Sequence, residues 1–246
     1  MSRFYIRPDS IKDGKVFLKG EELHHVRDVM RLDVGDVIVA FDGEGKEYLG
    51  KIAGSSAKEL VIGINKVISS AKSQDVQISL ACGIPKLDRM DYIVQKSTEL
   101  GVKNIYPLIT KRTIVSLPDE KKAQSRKARW ERIAVESSKQ CGRVVLPEVK
   151  PITGFSQFMQ SLKGFDVALI ATLVEGAKDL KDILKNSRVR NVVLLIGPEG
   201  DFTKEEVEAA VKKGCMPVFL GPLVLRCDTA AIYALSVLNY ELLYKQ

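Results

Sequence analysis

Two short corners in this chain combine backbone freedom with fixed charge. In LLIGPEGDFTKEEVEAA, Leu194 to Ala210, an apolar run breaks into Gly197-Pro198-Glu199-Gly200 before an acidic, helix-prone segment. In PVFLGPLVLRCDTAAIY, Pro217 to Tyr233, the same step, Gly221-Pro222, precedes Arg226 and Asp228. Proline fixes one dihedral, and glycine lets a ligand approach main chain that a side chain would block. Placed at the ends of neighbouring strands, two such corners would make a cleft rimmed by amides and carbonyls, able to hold a planar adenine, with Arg226 as a permanent positive charge at its mouth. Locally, each corner is also a sound strand-to-helix connection. Thr203 and Glu206 have the spacing of a capping box, Asp228 could cap the last helix, and Glu199 could simply steady its own loop.

Other chemistries lack their residues. No G-x-x-x-x-G-K-[ST] and no G-x-G-x-x-G leads from a strand into a helix, which counts against nucleoside triphosphates and nicotinamide dinucleotides. The two histidines, His24 and His25, are adjacent, so they serve packing or capping better than a zinc site or a Ser-His-Asp triad. Cys82, Cys141, Cys215 and Cys227 stand far apart, with no C-x-x-C pair. They are expected to be reduced thiols of a cytoplasmic protein that holds no metal, and Cys227 is expected only to pack. The first residues, MSRFYIRPDS, contain no apolar stretch of a secretion signal, and no run approaches the roughly 20 residues of a membrane span.

The corners need a frame, and the chain supplies it from about residue 75. VQISLACGIP, NIYPLIT, DVALIAT, NVVLLI and MPVFL read as strands alternating with the helical segments LDRMDYIVQKSTELG, a long basic helix through Gln140, KDLKDILKNS, TKEEVEAAVKKG and a last helix starting near Asp228. That alternation predicts a mainly parallel sheet covered by helices on both faces. Val192–Ile196 would be a central strand, apolar on both sides. Before it, RFYI, KVFLKG, DVIVAF, KEYLGKI and ELVIGINKV are short β-branched and aromatic segments split by turn signals. EELHHVRDVMRL interrupts them with Leu23, Val26 and Met30 at helical spacing. The polar stretch Ser69–Asp75 divides a small β-barrel domain, 1–70, from an α/β domain, 75–246.

The order of the motifs identifies a resemblance. HHVRDVMRL and VGD near the start, PKLDRMDYIVQKSTELGV, the helix ending SSKQCGR, IGPEG, and LGPLVLR with DTA together resemble the RsmE ribosomal RNA methyltransferases of the SPOUT superfamily over essentially the whole chain. The resemblance implies a PUA-like RNA-binding β-barrel followed by an α/β SPOUT methyltransferase domain whose C-terminal chain forms a trefoil knot. It also implies S-adenosylmethionine as methyl donor, a homodimer, and methylation of N3 of a uridine in small-subunit (16S) ribosomal RNA. On that pattern Thr172, Leu173, Ile196, Gly197, Pro198, Glu199, Gly200, Leu220, Gly221, Leu225 and Arg226 would surround the donor. Where the family commonly carries a second glycine, an arginine and Thr-Glu, this chain has Asp201, Leu223 and Cys227-Asp228.

Uridine N3 carries a proton at neutral pH, so methylating it requires that the anion be favoured or the proton removed. Arg226 is the candidate for holding the anionic uracil or the adjacent phosphate, with Glu199 or Asp228 accepting the proton. A formal net charge of +7 suits a polyanionic partner, and KKAQSRKARWER, Lys121 to Arg132, concentrates part of it. Candidate phosphate contacts are Arg3, Arg7, Arg27 and Arg31 in the first domain, and Lys86, Arg89, Arg112, Arg129, Arg132 and Arg143 in the second. AAIYALSVLNYELLY is apolar around most of its circumference, as a buried or interface helix is. Two other readings stay open: a non-catalytic RNA-binding or ribosome-assembly protein, and a nucleotide-dependent oxidoreductase on the same layout.

Overall fold

The computed structural model describes residues 3–69, 76–114, 119–174, 176–184 and 189–243. The chain divides into two compact units, Met1–Ser73 with Ser138–Leu146, and Gln74–Ser137 with Pro147–Gln246. The limits 70 and 75 expected for the two domains lie outside the described residues, as does most of the polar stretch between them.

In the first unit the strands are β1 (Arg3–Tyr5), β2 (Ile11–Lys12), β3 (Lys15–Leu18), β4 (Val37–Phe41), β5 (Lys46–Ser55) and β6 (Leu60–Ser69). They form one sheet in the order β1-β4-β5-β6-β3-β2. The first pair is parallel and the rest antiparallel. Register shifts at Leu49/Gly50 and Ile52/Gly54 mark bulges in the long β5–β6 pair, where such irregularities bend a sheet. Gly50 is needed there: a Cβ would stand 2.5 Å from the Gly63 carbonyl oxygen. Phe4, Ile6, Val16, Leu18, Ile38, Ile52, Leu60 and Ile62 make the core.

The helical segment of this unit differs from its sequence pattern. It is an α-turn, α1 (Gly20–His24), followed by a π-turn over His25–Val29, closed by the Met30 amide on the His25 carbonyl at 2.9 Å. A π-turn inserts one residue per turn. Leu23 and Val26 therefore stay buried while Met30, in step with them for an unbroken α-helix, rotates out to 42% exposure. His25 packs edge-on to Phe4, the packing role expected of it, whereas His24 is exposed and bonds Asp28 at 2.6 Å rather than packing or capping.

In the second unit β7 (Gln77–Gly83), β8 (Asn104–Ile109), β9 (Glu148–Val149), β10 (Thr153–Gly154), β11 (Val167–Ala171), β12 (Lys178–Asp179), β13 (Asn191–Ile196) and β14 (Met216–Phe219) form a parallel sheet. Its order is β10-β8-β7-β13-β11-β14-β12, with β9 also beside β8. The helices are α2 (Arg89–Glu99), α3 (Glu120–Cys141), α4 (Phe155–Phe158), α5 (Leu180–Leu184), α6 (Lys204–Lys212) and α7 (Cys227–Leu243). Successive residues of a strand point to opposite faces, and here both faces are dry. Leu80, Leu169, Val192, Leu194 and Ile196 enter one core with Ile93, Trp130, Ala231 and Leu235. Ala81, Ile170, Val193 and Leu195 enter the other with Phe155, Phe158, Val207 and Ala210. The expected double-faced parallel sheet is observed, with β13 at its centre. The segment KDLKDILKNS is a two-residue strand followed by α5, and its residues 185–187 lie outside the described residues.

Candidate functional site: a hollow at the ends of three strands

Parallel pairing brings strand ends to one edge. Ile170 of β11 pairs with Leu195 of β13, and Ala171 of β11 pairs with Val218 of β14. The segments after β11, β13 and β14 therefore converge, at the place where ligands of open α/β sheets bind. They enclose a cavity of about 250 Å³ lined by Ala171, Thr172 and Leu173 from the first, Ile196–Glu199 and Asp201 from the second, and Leu220, Gly221 and Leu223–Cys227 from the third, with Arg89 and Ala230 completing the wall.

The loop after β13 is held from several sides. The Asp201 amide donates to the Pro198 carbonyl at 2.8 Å, closing a turn that leaves Asp201 at φ +60°. Aspartate tolerates this region because its short side chain bonds locally, here accepting from the Phe202 amide at 2.7 Å. Gly197 cannot be larger, since a Cβ would lie 2.7 Å from Asp201 Oδ1 and 2.8 Å from Asp201 Cα. Glu199 Oε1 accepts from the Lys86 amide at 2.9 Å and lies 4.0 Å from Arg89. Arg112 donates to the carbonyls of Gly200 and Phe202. Thr203 and Glu206 form the expected capping box, and the buried Glu206 carboxylate also takes the Lys111 amide at 2.9 Å. Glu206 thus fastens the loop after β8 to the start of α6.

The stretch after β14 is the opposite. The amides of Gly221, Leu223, Val224 and Leu225 have no hydrogen-bond partner among the described residues, and Gly221 sits at φ +117°, a conformation side chains rarely adopt. An unpaired main-chain strip beside an apolar hollow can recognise the polar edge of a planar heterocycle.

Of the residues expected around a donor, all but Gly200 line the hollow; Gly200 faces the aliphatic part of Arg112 instead. Of the three candidates for chemistry, Arg226 and Glu199 line it and Asp228 does not. Nor is Asp228 the cap of the last helix. The Ala230 amide bonds the Arg226 carbonyl at 2.8 Å, so Arg226 holds the cap position and Asp228 lies inside the first turn. Arg89, Asp201 and Cys227 enter the hollow without having been singled out for it from the sequence. The Cys227 thiol is pushed up by burial and by the charges of Glu199 and Asp228, against which a hydrogen bond with Arg89 acts; Cys82 is pushed well above the ordinary thiol value, chiefly by burial. Both stay protonated, as packing residues.

The candidate phosphate contacts separate into two groups. Arg7, Arg31, Lys86 and Arg132 are exposed without an ion pair among the described residues, and Arg27 is exposed beside its neighbour Asp28. Arg129 is exposed but bound to Asp91 and Asp88. Arg3 is bonded to Glu47 and to the Arg143 carbonyl and covers the Phe41 ring, while Arg143 donates to the Val145 carbonyl and is brought down to about 10 by burial. Arg3, Arg143 and Arg112 therefore have work inside the fold. Among the described residues no group of three or more His, Cys, Asp or Glu could hold a metal ion, and no helix is long and apolar enough to cross a membrane.

The chain and its fold are similar to known proteins. A family model for an RNA methyltransferase domain matches residues 72–239, and one for an RNA methyltransferase PUA domain matches residues 18–65. The chain is 32% identical to the ribosomal RNA small subunit methyltransferase E of Bacillus subtilis, over 98% of this chain and 97% of that one. Its fold is similar to the methyltransferase E of Neisseria gonorrhoeae solved with S-adenosylmethionine, with 32% identity, 97% coverage of each chain and a TM-score of 0.86. A Legionella pneumophila protein described as a methyltransferase, also solved with this cofactor, is 35% identical over 96% of each chain, with a TM-score of 0.88.

Proposed function

Since the chain belongs to the ribosomal RNA small subunit methyltransferase E family, we propose that it methylates N3 of a uridine in small-subunit ribosomal RNA, acting as a homodimer in the cytoplasm. It is an S-adenosylmethionine-dependent ribosomal RNA methyltransferase with a SPOUT-like α/β domain and a PUA domain. The non-catalytic alternative gives way to this reading, and so does the oxidoreductase.

The observation that carries the reading is the apolar hollow with its unpaired main-chain strip. The residues present fit the donor. The amides of Gly221 and Leu223–Leu225 would meet the adenine edge, and Ile196, Leu173, Leu220 and Leu225 would cover its faces. S-Adenosylmethionine, when bound, supplies an electrophilic methyl group on a sulfonium that leaves as a neutral thioether. The chain must then supply an aligned, deprotonated uracil. Arg226, exposed at the mouth, would hold the negative charge that develops on O2 or O4. Glu199 would take the N3 proton on Oε2, which has no partner among the described residues, while Oε1 stays fixed by the Lys86 amide. Orientation and electrostatics carry the rate.

Two finer features belong to the same proposal. After β14, near one edge of the sheet, the chain returns so that α7 packs on β7, β13 and α2, a path that supports the C-terminal trefoil knot. Along α7, Ala230, Ala231, Ala234, Leu235 and Leu238 are buried, while Tyr233 and Tyr240, two turns apart, are 48% and 72% exposed. That tyrosine face supports the homodimer. Sedimentation at micromolar concentration is expected to give a dimer; a monomer removes this part of the proposal.

Arg7, Arg27 and Arg31 in the first unit, and Lys86, Arg89 and Arg132 in the second, are the proposed RNA contacts. The test is incubation with labelled S-adenosylmethionine and ribosomal RNA or small subunits, followed by nucleoside mass mapping. N3-methyluridine at one position is expected, with RNA affinity falling steeply as salt rises. Label on another atom, or none, overturns the assignment.

A further inference from the structure

Among the residues that line the hollow is a carboxylate whose charge is not fully answered by the protein. Four residues with charged side chains belong to the lining: Arg89, Glu199, Asp201 and Arg226. Glu199 has the Lys86 amide at 2.9 Å and Arg89 at 4.0 Å. Asp201 has less. Its Oδ1 takes the Phe202 amide at 2.7 Å and packs against Gly197, while Oδ2 has no hydrogen-bond partner among the described residues. The nearby guanidinium of Arg112 directs its hydrogens to the carbonyls of Gly200 and Phe202 rather than to the carboxylate.

We propose that Asp201 makes the hollow selective for charge, holding a cationic sulfonium donor in preference to the neutral thioether it becomes. The inference rests on the donor assigned above and adds a residue that governs which form of that donor stays bound. In the transfer the S–CH3 bond breaks with its electron pair left on sulfur, the N3–CH3 bond forms, and the N3 proton passes to a carboxylate. The ligand in the hollow thereby loses one positive charge. A carboxylate among walls such as Ile196, Leu220 and Leu225 is poorly screened, so it attracts the cation before transfer and offers the neutral product no such attraction afterwards. Burial holds the Asp201 carboxyl above its ordinary value, with Glu206 acting in the same direction and the Phe202 amide and Arg112 opposing. A bound cation would relieve that burial penalty.

The test is calorimetric and needs no turnover. Dissociation constants for S-adenosylmethionine and S-adenosylhomocysteine are measured on the wild-type chain, on Asp201→Asn, which tolerates the positive φ, and on Asp201→Gly, which adopts it freely. Both variants are expected to bind S-adenosylmethionine about tenfold more weakly and S-adenosylhomocysteine within about twofold of wild type. Equal weakening of both ligands would mean that Asp201 contacts the part they share, and it overturns the inference; so does an unchanged ratio. Wild-type protein that binds neither ligand overturns the donor assignment itself, which separates the two failures.

Discussion

Arg226→Ala lowers kcat by about 10²–10³-fold at saturating S-adenosylmethionine, the cost of removing a donor aimed at charge that develops in the transition state. The residue reaches its place through backbone, not packing. Its carbonyl opens α7 by accepting the Ala230 amide at 2.8 Å, and its side chain is exposed at the mouth of the hollow. Alanine keeps that carbonyl, so α7 starts as before and the variant melts with the wild type. Single-turnover kinetics then separate the roles open to the guanidinium. If it stabilises the anionic uracil, the chemical step slows while KM for RNA changes little. If it only holds a neighbouring phosphate, KM for RNA rises and the chemical step is preserved. Arg226→Lys keeps the charge and loses the planar fork, so partial recovery would indicate that charge outweighs bidentate geometry. A variant with wild-type turnover would remove Arg226 from the mechanism.

The parts of this site readable from the chain are those built locally. The strands ending at the hollow are apolar runs because both faces of a parallel sheet are covered, and β11 and β13 show this directly. Thr203 and Glu206 form their capping box within one turn, so their spacing alone revealed it. Arg89 is different. It belongs to the start of α2, and only the pairing of β7 with β13 brings it beside Glu199 and Cys227. Arg3 and Arg143 look like any surface arginines until the fold sets one against the carbonyl of the other. The π-turn at His25–Val29 was hidden for another reason: its residues keep α-helical spacing in sequence, and only the Met30 to His25 hydrogen bond shows the extra residue. The two-residue strands β9, β10 and β12 are too short to carry any periodicity. Asp228 suits a cap by residue type, but the cap is Arg226, two residues earlier.

The same contrast between local and distant contacts makes Gly83 a position where one methyl group should disturb the hollow from outside its lining. Gly83 ends β7 inside the segment VQISLACGIP, where nothing in the sequence separates it from the other small residues of the strand. In the fold it lies between Thr110 and Pro198: a Cβ would stand 2.6 Å from Pro198 Cδ, 2.9 Å from Pro198 N and 3.3 Å from Thr110 Cγ2. The proline cannot swing away by changing φ, and Gly197 behind it is already in contact with Asp201. The strain must therefore pass into the turn that forms one wall of the hollow. Overpacking of this kind costs about 1–3 kcal/mol, so Gly83→Ala should lower Tm by several degrees and weaken S-adenosylmethionine binding about 10–100-fold. Gly164→Ala is the control, because nothing lies within 4 Å of a Cβ at that position, and it should match the wild type in both measurements. Calorimetric titration and thermal melting of the two variants decide the point. If Gly83→Ala binds the donor and melts like the control, the turn carrying Pro198 is not braced against β7, and the wall of the hollow is looser than its contacts require.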